Sequence, residues 1–276
     1  MSFDKLGNGA LNYAPCKYGN SRLQFRGPRR RLKGDYIAFL GGTETYGKFI
    51  KSPFPALVER EIGVRCVNFG WVNAGVDVFC NDPTVLEAAG RARMTVIQVM
   101  GAQNMSNRFY MVHPRRNDRF VSASSLMKTI FPEIDFTEFH FTRHMLGRLN
   151  IAAPDRFNVM RSELKSAWVA RMRLLLSMIK GPKVLFWMAD HAPALEVEGS
   201  NLGPDPMFVD RYMIEEIRPL VDDLIEVTVS EAALKQGTEG MICSEMELLA
   251  ARKMLGPAAH AEAMAALSAP LQLLLG

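Results

Sequence analysis

From residue 36 onward, short apolar runs alternate with longer segments in which apolar and polar residues recur at helical spacing. The runs YIAFLG, RCVNFG and MTVIQVMG each end in glycine, and KVLFWMAD and LIEVTVS follow further along the chain. Apolar runs of this length that are bounded by turn residues are typical of buried strands. Strands that alternate with helices predict a mostly parallel sheet with helices on both faces. The expected fold is therefore a three-layer, flavodoxin-like α/β domain.

The helical segments carry recognisable end signals. PFPALVEREIG closes with Gly63 as a C-cap, and DPTVLEAAGRAR begins with Asp82 as an N-cap and Pro83 at the first helical position. Further helices are predicted near residues 156–180 and over MFVDRYMIEEIRPLVD (207–222). Two C-terminal helical segments are expected to be separated near Gly256-Pro257.

Two segments interrupt this alternation. Residues 1–35 are rich in Gly, Pro, Asn and Arg, and we interpret them as an N-terminal arm over a domain that spans residues 36–276. Residues 102–155 follow the third strand and form an arginine-rich insertion, which we expect to lie over the site. The basic run RGPRRRLK at 26–33 either joins the rim of that site or faces solvent.

Composition narrows the class of protein. The 276 residues are 48% hydrophobic and 22% charged, as in an ordinary globular protein, and no apolar run approaches the roughly 20 residues of a membrane span. The N-terminus lacks the basic start and apolar core of a secretory signal. The four cysteines have no CxxC spacing, so we expect reduced thiols and a cytoplasmic location. No metal and no cofactor are expected.

The predicted topology selects the residues that can meet. In open parallel sheets the ligand lies outside the carboxyl ends of the strands. Those ends deliver Gly41–Thr45, Asn68–Asn73, Gly101–Asn107 and Asp190-His191, and all four stretches contain polar side chains.

The first of these stretches, FLGGTETYG, resembles the first block of the SGNH (GDSL) hydrolase superfamily, with Thr43 at the serine position and Gly42 at the aspartate position. NFG, which ends at Gly70, and GAQN at 101–104 are similar to the family's second and third blocks. The likeness covers residues 36–107 best. The chain also resembles an uncharacterised family of bacterial proteins of similar length.

The resemblance implies that Thr43 is the nucleophile of an esterase or acyltransferase. An oxyanion hole would then come from the backbone N–H of Thr43 itself, in the turn that follows Gly42, from the Gly70 N–H, and from the side-chain amide of Gln103 or Asn104. The family's base is the histidine of an Asp-x-x-His motif, and this motif has no counterpart here. The histidine of the C-terminal region is His260, and the residue three positions before it is Pro257 instead of an acid. His260 resembles instead the second histidine of the family's last helix.

Other histidines could supply the base. His191 follows a predicted strand and reaches the same edge as Thr43, although its neighbour Asp190 should point the opposite way, which leaves Glu44 or an acid of the insertion to orient it. The alternative is a loop histidine that caps the next segment. His140 and His144 are four residues apart and would share a face if their segment were helical. They could then bind a metal ion, or one of them could act as a base carried by a lid.

The segment NRFYMVHPRRNDRF at 107–120 begins at the presumed site. Its Arg108, His113, Arg115 and Arg116 fit an anionic group, because guanidinium groups bind carboxylate, sulfate and phosphate through paired hydrogen bonds. The alternative is a solvated loop with structural ion pairs. The glycine turn at 41–47 could also offer free N–H groups to an anion.

Three functional interpretations remain open at this stage. The first is a divergent SGNH-like hydrolase or acyltransferase that acts on an ester of a carbohydrate or other small anionic substrate. The second is a non-catalytic relative that binds an anionic glycan or nucleotide-sugar. The third is a transferase of envelope polysaccharide synthesis. The net charge of +4 and the lack of a reader motif argue against nucleic acid as a partner, no membrane partner is expected, and homo-oligomerisation is left open.

Overall fold

A computed structural model describes residues 9–195 and 202–276, so the first eight residues of the predicted arm lie outside it. The strands are β1 (Ile37–Leu40), β2 (Cys66–Asn68), β3 (Met94–Gln98), β4 (Tyr110–His113), β5 (Arg116–Ala123), β6 (Lys183–Ala189) and β7 (Asp223–Thr228). Five of them form one parallel sheet in the order β2-β1-β3-β6-β7, whereas β4 and β5 pair as a separate antiparallel hairpin. Numbered within the sheet, this is the 2-1-3-4-5 order of flavodoxin-like folds, which confirms the predicted class.

Helices cover both faces of the sheet. They are α1 (Thr43–Tyr46), α2 (Phe54–Ile62), α3 (Val76–Cys80), α4 (Pro83–Arg91), α5 (Ser125–Ile130), α6 (Thr142–Ala152), α7 (Pro154–Met178), α8 (Arg211–Ile217), α9 (Glu231–Lys235), α10 (Leu248–Ala251) and α11 (Pro257–Leu275).

Strand β1 shows how the sequence builds three layers. Successive side chains of a strand point to opposite faces. Ile37 and Phe39 accordingly pack in the core that includes residues of α2 and α11, while Ala38 and Leu40 pack in the larger core that includes residues of α3 and α7. All four residues are buried, because both faces of the sheet are covered.

The predicted helix ends can be compared with those observed. Asp82 accepts the Val85 N–H at 3.1 Å and Pro83 opens α4, as expected. The helix predicted over 207–222 is wrong in extent, since α8 covers only Arg211–Ile217. Asp210 accepts the Met213 N–H at 3.0 Å and so fixes the start of α8, and Pro219 lies in the 3-10 turn that follows it.

The described part of the N-terminal segment is packed into the domain. Tyr18, Leu23 and Phe25 are buried members of the larger core. Arg26 is also buried, and its guanidinium donates at 2.5–3.2 Å to four backbone carbonyls at the end of α1 and in the loop that follows, those of Tyr46, Gly47, Ile50 and Lys51. This member of the basic run therefore neither lines a rim nor faces solvent.

The segment after β3 contains the β4–β5 hairpin, α5 and α6. Its hairpin is attached to the start of α3 through Asn117, which is fully buried. The side-chain oxygen of Asn117 accepts the N–H groups of Gly75 at 3.1 Å and Val78 at 3.2 Å, at the start of α3. The hairpin is thereby held beside the loop that follows β2.

None of the helices in the described residues combines the length and the apolar character that a membrane crossing requires.

Candidate functional site

Thr43 lies at the carboxyl end of β1, where the topology predicts a ligand. Its hydroxyl accepts the Asn73 N–H at 3.0 Å and donates to the Asn73 side-chain oxygen at 3.3 Å. Asn73 has a φ of 55°, a left-handed conformation that asparagine adopts more readily than most residues. The loop after β2 therefore holds the hydroxyl of Thr43.

The turn around Thr43 is organised by Gln98, the last residue of β3. The Gln98 side-chain oxygen accepts from the Gly42 N–H at 3.0 Å, the Thr45 N–H at 3.2 Å and the Thr45 hydroxyl at 2.6 Å. Its amide nitrogen donates to the Glu44 carboxylate at 3.0 Å. The Gly42 and Thr45 N–H groups are thus satisfied within the protein and are not free to hold an anion.

Two of the expected oxyanion donors are also engaged. The Gly70 N–H donates to the Asn68 side chain at 2.8 Å. The Asn104 amide nitrogen donates to the Asn73 carbonyl at 3.1 Å, and the Asn104 oxygen accepts the Thr142 hydroxyl at 2.8 Å. Both groups lie at the expected edge, and either would have to exchange its partner to bind an oxyanion.

Gln103 belongs to a polar strip beside the turn. Its amide nitrogen donates to Asp205 at 3.1 Å, and Asp205 pairs with Arg143 at 2.7 Å. The Gln103 oxygen is buried and has no hydrogen-bond partner among the described residues. Burial raises the pKa of Glu44, and the nearby charge of Asp205 raises it further. A carboxyl group of raised pKa therefore lies at the sheet edge.

His191 lies just beyond β6. Its Nδ1 is 2.7 Å from a carboxylate oxygen of Asp190, and its ring packs edge-on against Trp187 with the centroids 5.5 Å apart. The expectation that Asp190 points away from His191 is wrong. Strand β6 ends at Ala189 and the chain bends after it, so the alternation of a strand no longer applies. The hydroxyl of Thr43 bonds to Asn73 and not to this imidazole.

His260 is a core residue. Its Nδ1 accepts the Phe54 N–H at 3.1 Å at the start of α2, and the two rings stack with centroids 5.9 Å apart. Burial lowers the pKa of His260 to about 3. This side chain stays neutral at ordinary pH and stabilises the contact between α11 and α2.

His140 and His144 do not share a helical face, since His140 precedes α6 and His144 lies within it. The His140 backbone carbonyl accepts the Phe120 N–H at 3.1 Å. The His144 and Phe139 rings pack edge to face with their centroids 5.2 Å apart. Among the residues described, His, Cys, Asp and Glu form no group of three that could hold a metal ion.

The basic residues of the segment 107–120 make different contacts. Arg108 pairs with Glu163 of α7 at 2.8 Å. His113 shapes the turn between β4 and β5, because its Nδ1 accepts the N–H groups of Arg115 and Arg116, each at 3.2 Å. The side chains of these two arginines line different clefts.

The first cleft, here the Arg116 cleft, has a volume of about 410 Å³ and is lined by Pro15, Gln24, Tyr46, Trp71, Val72, Asn73, Arg116, Asp118 and Arg119. The second, the Arg115 cleft, has about 540 Å³ and lies between the N-terminal segment and α4. Asn73 joins the first cleft to Thr43, since its amide nitrogen also donates to Asp118 at 3.1 Å.

Gln98 and Asp205 lie outside every stretch that the sequence predicts for the site. Asn73, Asp118 and Arg119 lie within predicted stretches, 68–73 and 107–120, but the sequence pattern does not single them out. Gln98 carried a usable signal, as a lone amide within the apolar run MTVIQVMG. A buried polar side chain needs partners, and the Gly42-Thr45 turn on the neighbouring strand supplies them. Asp118 and Arg119 lie in strand β5, whereas Asn73 and Asp205 lie in loops. The contacts of all four are made across the chain, so no local pattern encodes them.

The fold and the polar residues at the sheet edge define a three-layer α/β protein, with its candidate site at the carboxyl ends of the parallel strands. The chain belongs to the family described as "Domain of unknown function (DUF6473)", whose model matches residues 1–275. No curated protein matches the chain.

Among solved structures, a lipase from a goat rumen metagenome is similar at 12% identity and a TM-score of 0.38, with 85% of this chain and 97% of the lipase covered. A gut microbial diltiazem-metabolizing enzyme is similar at 13% identity and a TM-score of 0.25, with 70% of this chain and 34% of that chain covered. This chain thus spans about a third of the second protein. At these TM-scores neither likeness bears on the activity of this chain.

Proposed function

We propose that this protein is a divergent SGNH-like hydrolase or acyltransferase that acts on an ester of a carbohydrate or of another small anionic molecule. One observation carries the proposal. A histidine paired with a carboxylate, His191 with Asp190, lies at the same sheet edge as the hydroxyl of Thr43. A hydroxyl nucleophile needs such a base, and the base needs an orienting group.

In the reaction, the Thr43 oxygen bonds to the ester carbonyl carbon while His191 takes the hydroxyl proton. The ester C–O bond then breaks, and His191 returns the proton to the leaving alcohol. Water in hydrolysis, or an acceptor alcohol in transfer, then gives its proton to His191 and bonds to the acyl carbon. The bond from that carbon to the Thr43 oxygen breaks, and His191 returns the proton to this oxygen. Asp190 stabilises the imidazolium that forms at each stage.

The geometry sets one requirement for this route. Strand β3 separates β1 from β6, which places the two strand ends roughly 10 Å apart at about 4.8 Å per strand. Thr43 and His191 must therefore turn towards each other across the end of β3, and the hydroxyl must leave the Asn73 oxygen. Catalytic hydrogen bonds often form only in the substrate complex.

The proposal is tested with an acetylated sugar acid as substrate and the variants His191→Gln and His144→Gln. Loss of a general base lowers kcat by about 10²–10⁴-fold, so His191→Gln should lose nearly all turnover. His144→Gln, which alters an exposed histidine of α6, should retain it. Equal turnover in both variants would refute His191 as the base.

A second candidate function is a non-catalytic module that binds an anionic glycan or nucleotide-sugar. The observation that favours it is the engagement of Gly42, Gly70 and Asn104, whose donors all have partners. In that case the wild-type protein binds such a ligand and turns over no ester.

A further inference from the structure

The Arg116 cleft combines two unpaired cations with one acid. The guanidinium groups of Arg116 and Arg119 make no ion pair and no hydrogen bond within the described residues, whereas Arg108, Arg143 and Arg156 pair with carboxylates. Arg119 lies over the ring of Phe141, 4.1 Å from its centroid, which fixes its direction without neutralising it. Two unpaired guanidinium groups in one cleft are suited to an anion.

Asp118 limits which anion fits. Its carboxylate accepts the Asn73 amide at 3.1 Å and keeps further lone pairs for a donor. With Arg116, Arg119 and Asp118, the lining carries a net charge of +1. This charge favours a ligand of net negative charge, and the remaining lone pairs of Asp118 suit a hydroxyl donor on that ligand.

Two aromatic side chains supply the rest of the wall. The Trp71 indole is fixed because its N–H donates to the Arg115 carbonyl at 2.7 Å. Tyr46 packs against Tyr13 with the ring centroids 5.2 Å apart. Rigid aromatic rings beside hydrogen-bonding side chains suit a compact ring that bears hydroxyl groups. A volume of about 410 Å³ is that of a small-molecule site.

We infer that the Arg116 cleft binds a sugar acid or sugar phosphate. Its anionic group lies between Arg116 and Arg119, a ring hydroxyl donates to Asp118, and the ring packs against Trp71 and Tyr46. The inference rests on the proposed function and deepens it, because it names the substrate class. Asn73 forms hydrogen bonds with both Asp118 and Thr43, so this one residue links the cleft to the hydroxyl that would attack an ester on the bound sugar.

The test is calorimetric titration of the full chain with glucuronate and with glucose 6-phosphate, and with glucose as the uncharged probe. The variants are Arg116→Ala, Arg119→Ala and, as a matched control, Arg115→Ala, whose side chain lines the other cleft. Loss of one charged hydrogen-bond partner should weaken binding by about tenfold or more. Arg115→Ala should bind as the wild type does, and glucose at least about tenfold more weakly than the charged sugars.

The preferred charged sugar distinguishes a carboxylate from a phosphate ligand. Failure of both to bind, binding of glucose equal to theirs, or an equal effect of Arg115→Ala and Arg116→Ala would overturn the inference. A second variant, Trp71→Leu, should weaken both charged sugars while thermal unfolding shows that it folds. Binding without ester turnover would leave the cleft assignment intact and refute the proposed hydrolase separately.

Discussion

The hydroxyl of Thr43 and the main chain and side chain of Asn73 form two hydrogen bonds, at 3.0 and 3.3 Å. The residue at the nucleophile position is therefore held by a loop that also contacts the Arg116 cleft through Asp118. Thr43 and Asn73 therefore connect the proposed nucleophile of the hydrolase with the proposed sugar-binding cleft.

Asn73 should tolerate glycine better than alanine. Both Asn73→Gly and Asn73→Ala remove the side-chain bonds to Thr43 and Asp118, but only glycine adopts the φ of 55° without strain. The free energy of unfolding from urea denaturation should be about 1 kcal/mol lower for the alanine variant than for the glycine variant. An alanine variant of equal or greater stability would show that the left-handed conformation is not retained in solution.

His260 should make the protein sensitive to acid. Its pKa in the folded protein is about 3, below the ordinary value of 6.5, so the unfolded chain binds the extra proton between these values. Its contribution to stability is complete above pH 6.5 and is lost as the pH falls towards 3, at about 1.4 kcal/mol per unit.

Between pH 7 and pH 5 the wild type should lose about 2 kcal/mol of unfolding free energy that His260→Gln does not lose. Denaturant titrations at the two pH values measure this difference. The exposed His144 provides the control variant His144→Gln, which should lose stability as the wild type does. Identical losses in the wild type and His260→Gln would contradict the burial of a neutral imidazole.

Arg26 should be required for stability through the geometry of its guanidinium rather than through its charge. Arg26→Lys keeps the charge but cannot donate to four carbonyls at once, and we expect it to cost about 2–4 kcal/mol of unfolding free energy. The exposed Arg29 offers the matched control Arg29→Lys, which should change stability by less than about 0.5 kcal/mol. Comparable effects in the two variants would be inconsistent with the buried guanidinium.

Glu44 should oppose folding as the pH rises. Because the pKa of Glu44 is raised in the folded protein, the folded state binds more protons than the unfolded chain from its ordinary value of 4.5 upward. Stability is thus lost as the pH rises through that window. Glu44→Gln keeps an oxygen for the Gln98 amide and removes the titration, so the variant should gain stability relative to the wild type as the pH rises. Thermal unfolding of the wild type and of Glu44→Gln at a series of pH values above 4.5 measures this difference in stability. If the stabilities of the two proteins changed in parallel with pH, the effect of Glu44 would be excluded.

The sheet could be predicted because its evidence is local. Each apolar run needed only its own residues to indicate a strand, and capping residues such as Asp82 fixed the start of a helix. The helix predicted over 207–222 failed for the same local reason, since Asp210 is an N-cap within the run.

The site was less predictable because it is made by contacts across the chain. The positions of Thr43 and Gly70 followed from strand order, but the partners that occupy their polar groups did not. Asn73 meets Thr43 across 30 positions and Gln98 meets Gly42 across 56. Arg115 and Arg116 are adjacent in sequence, and only the turn between β4 and β5 places them in different clefts.

The most direct test of the central claim is the hydrolysis of 4-nitrophenyl acetate by the wild type, Thr43→Ala and Thr43→Ser under the same conditions. The account predicts turnover by the wild type, retention in Thr43→Ser, and a loss of at least about 10²-fold in Thr43→Ala. Equal rates in the wild type and Thr43→Ala, or no turnover in any of the three, would contradict Thr43 as the nucleophile.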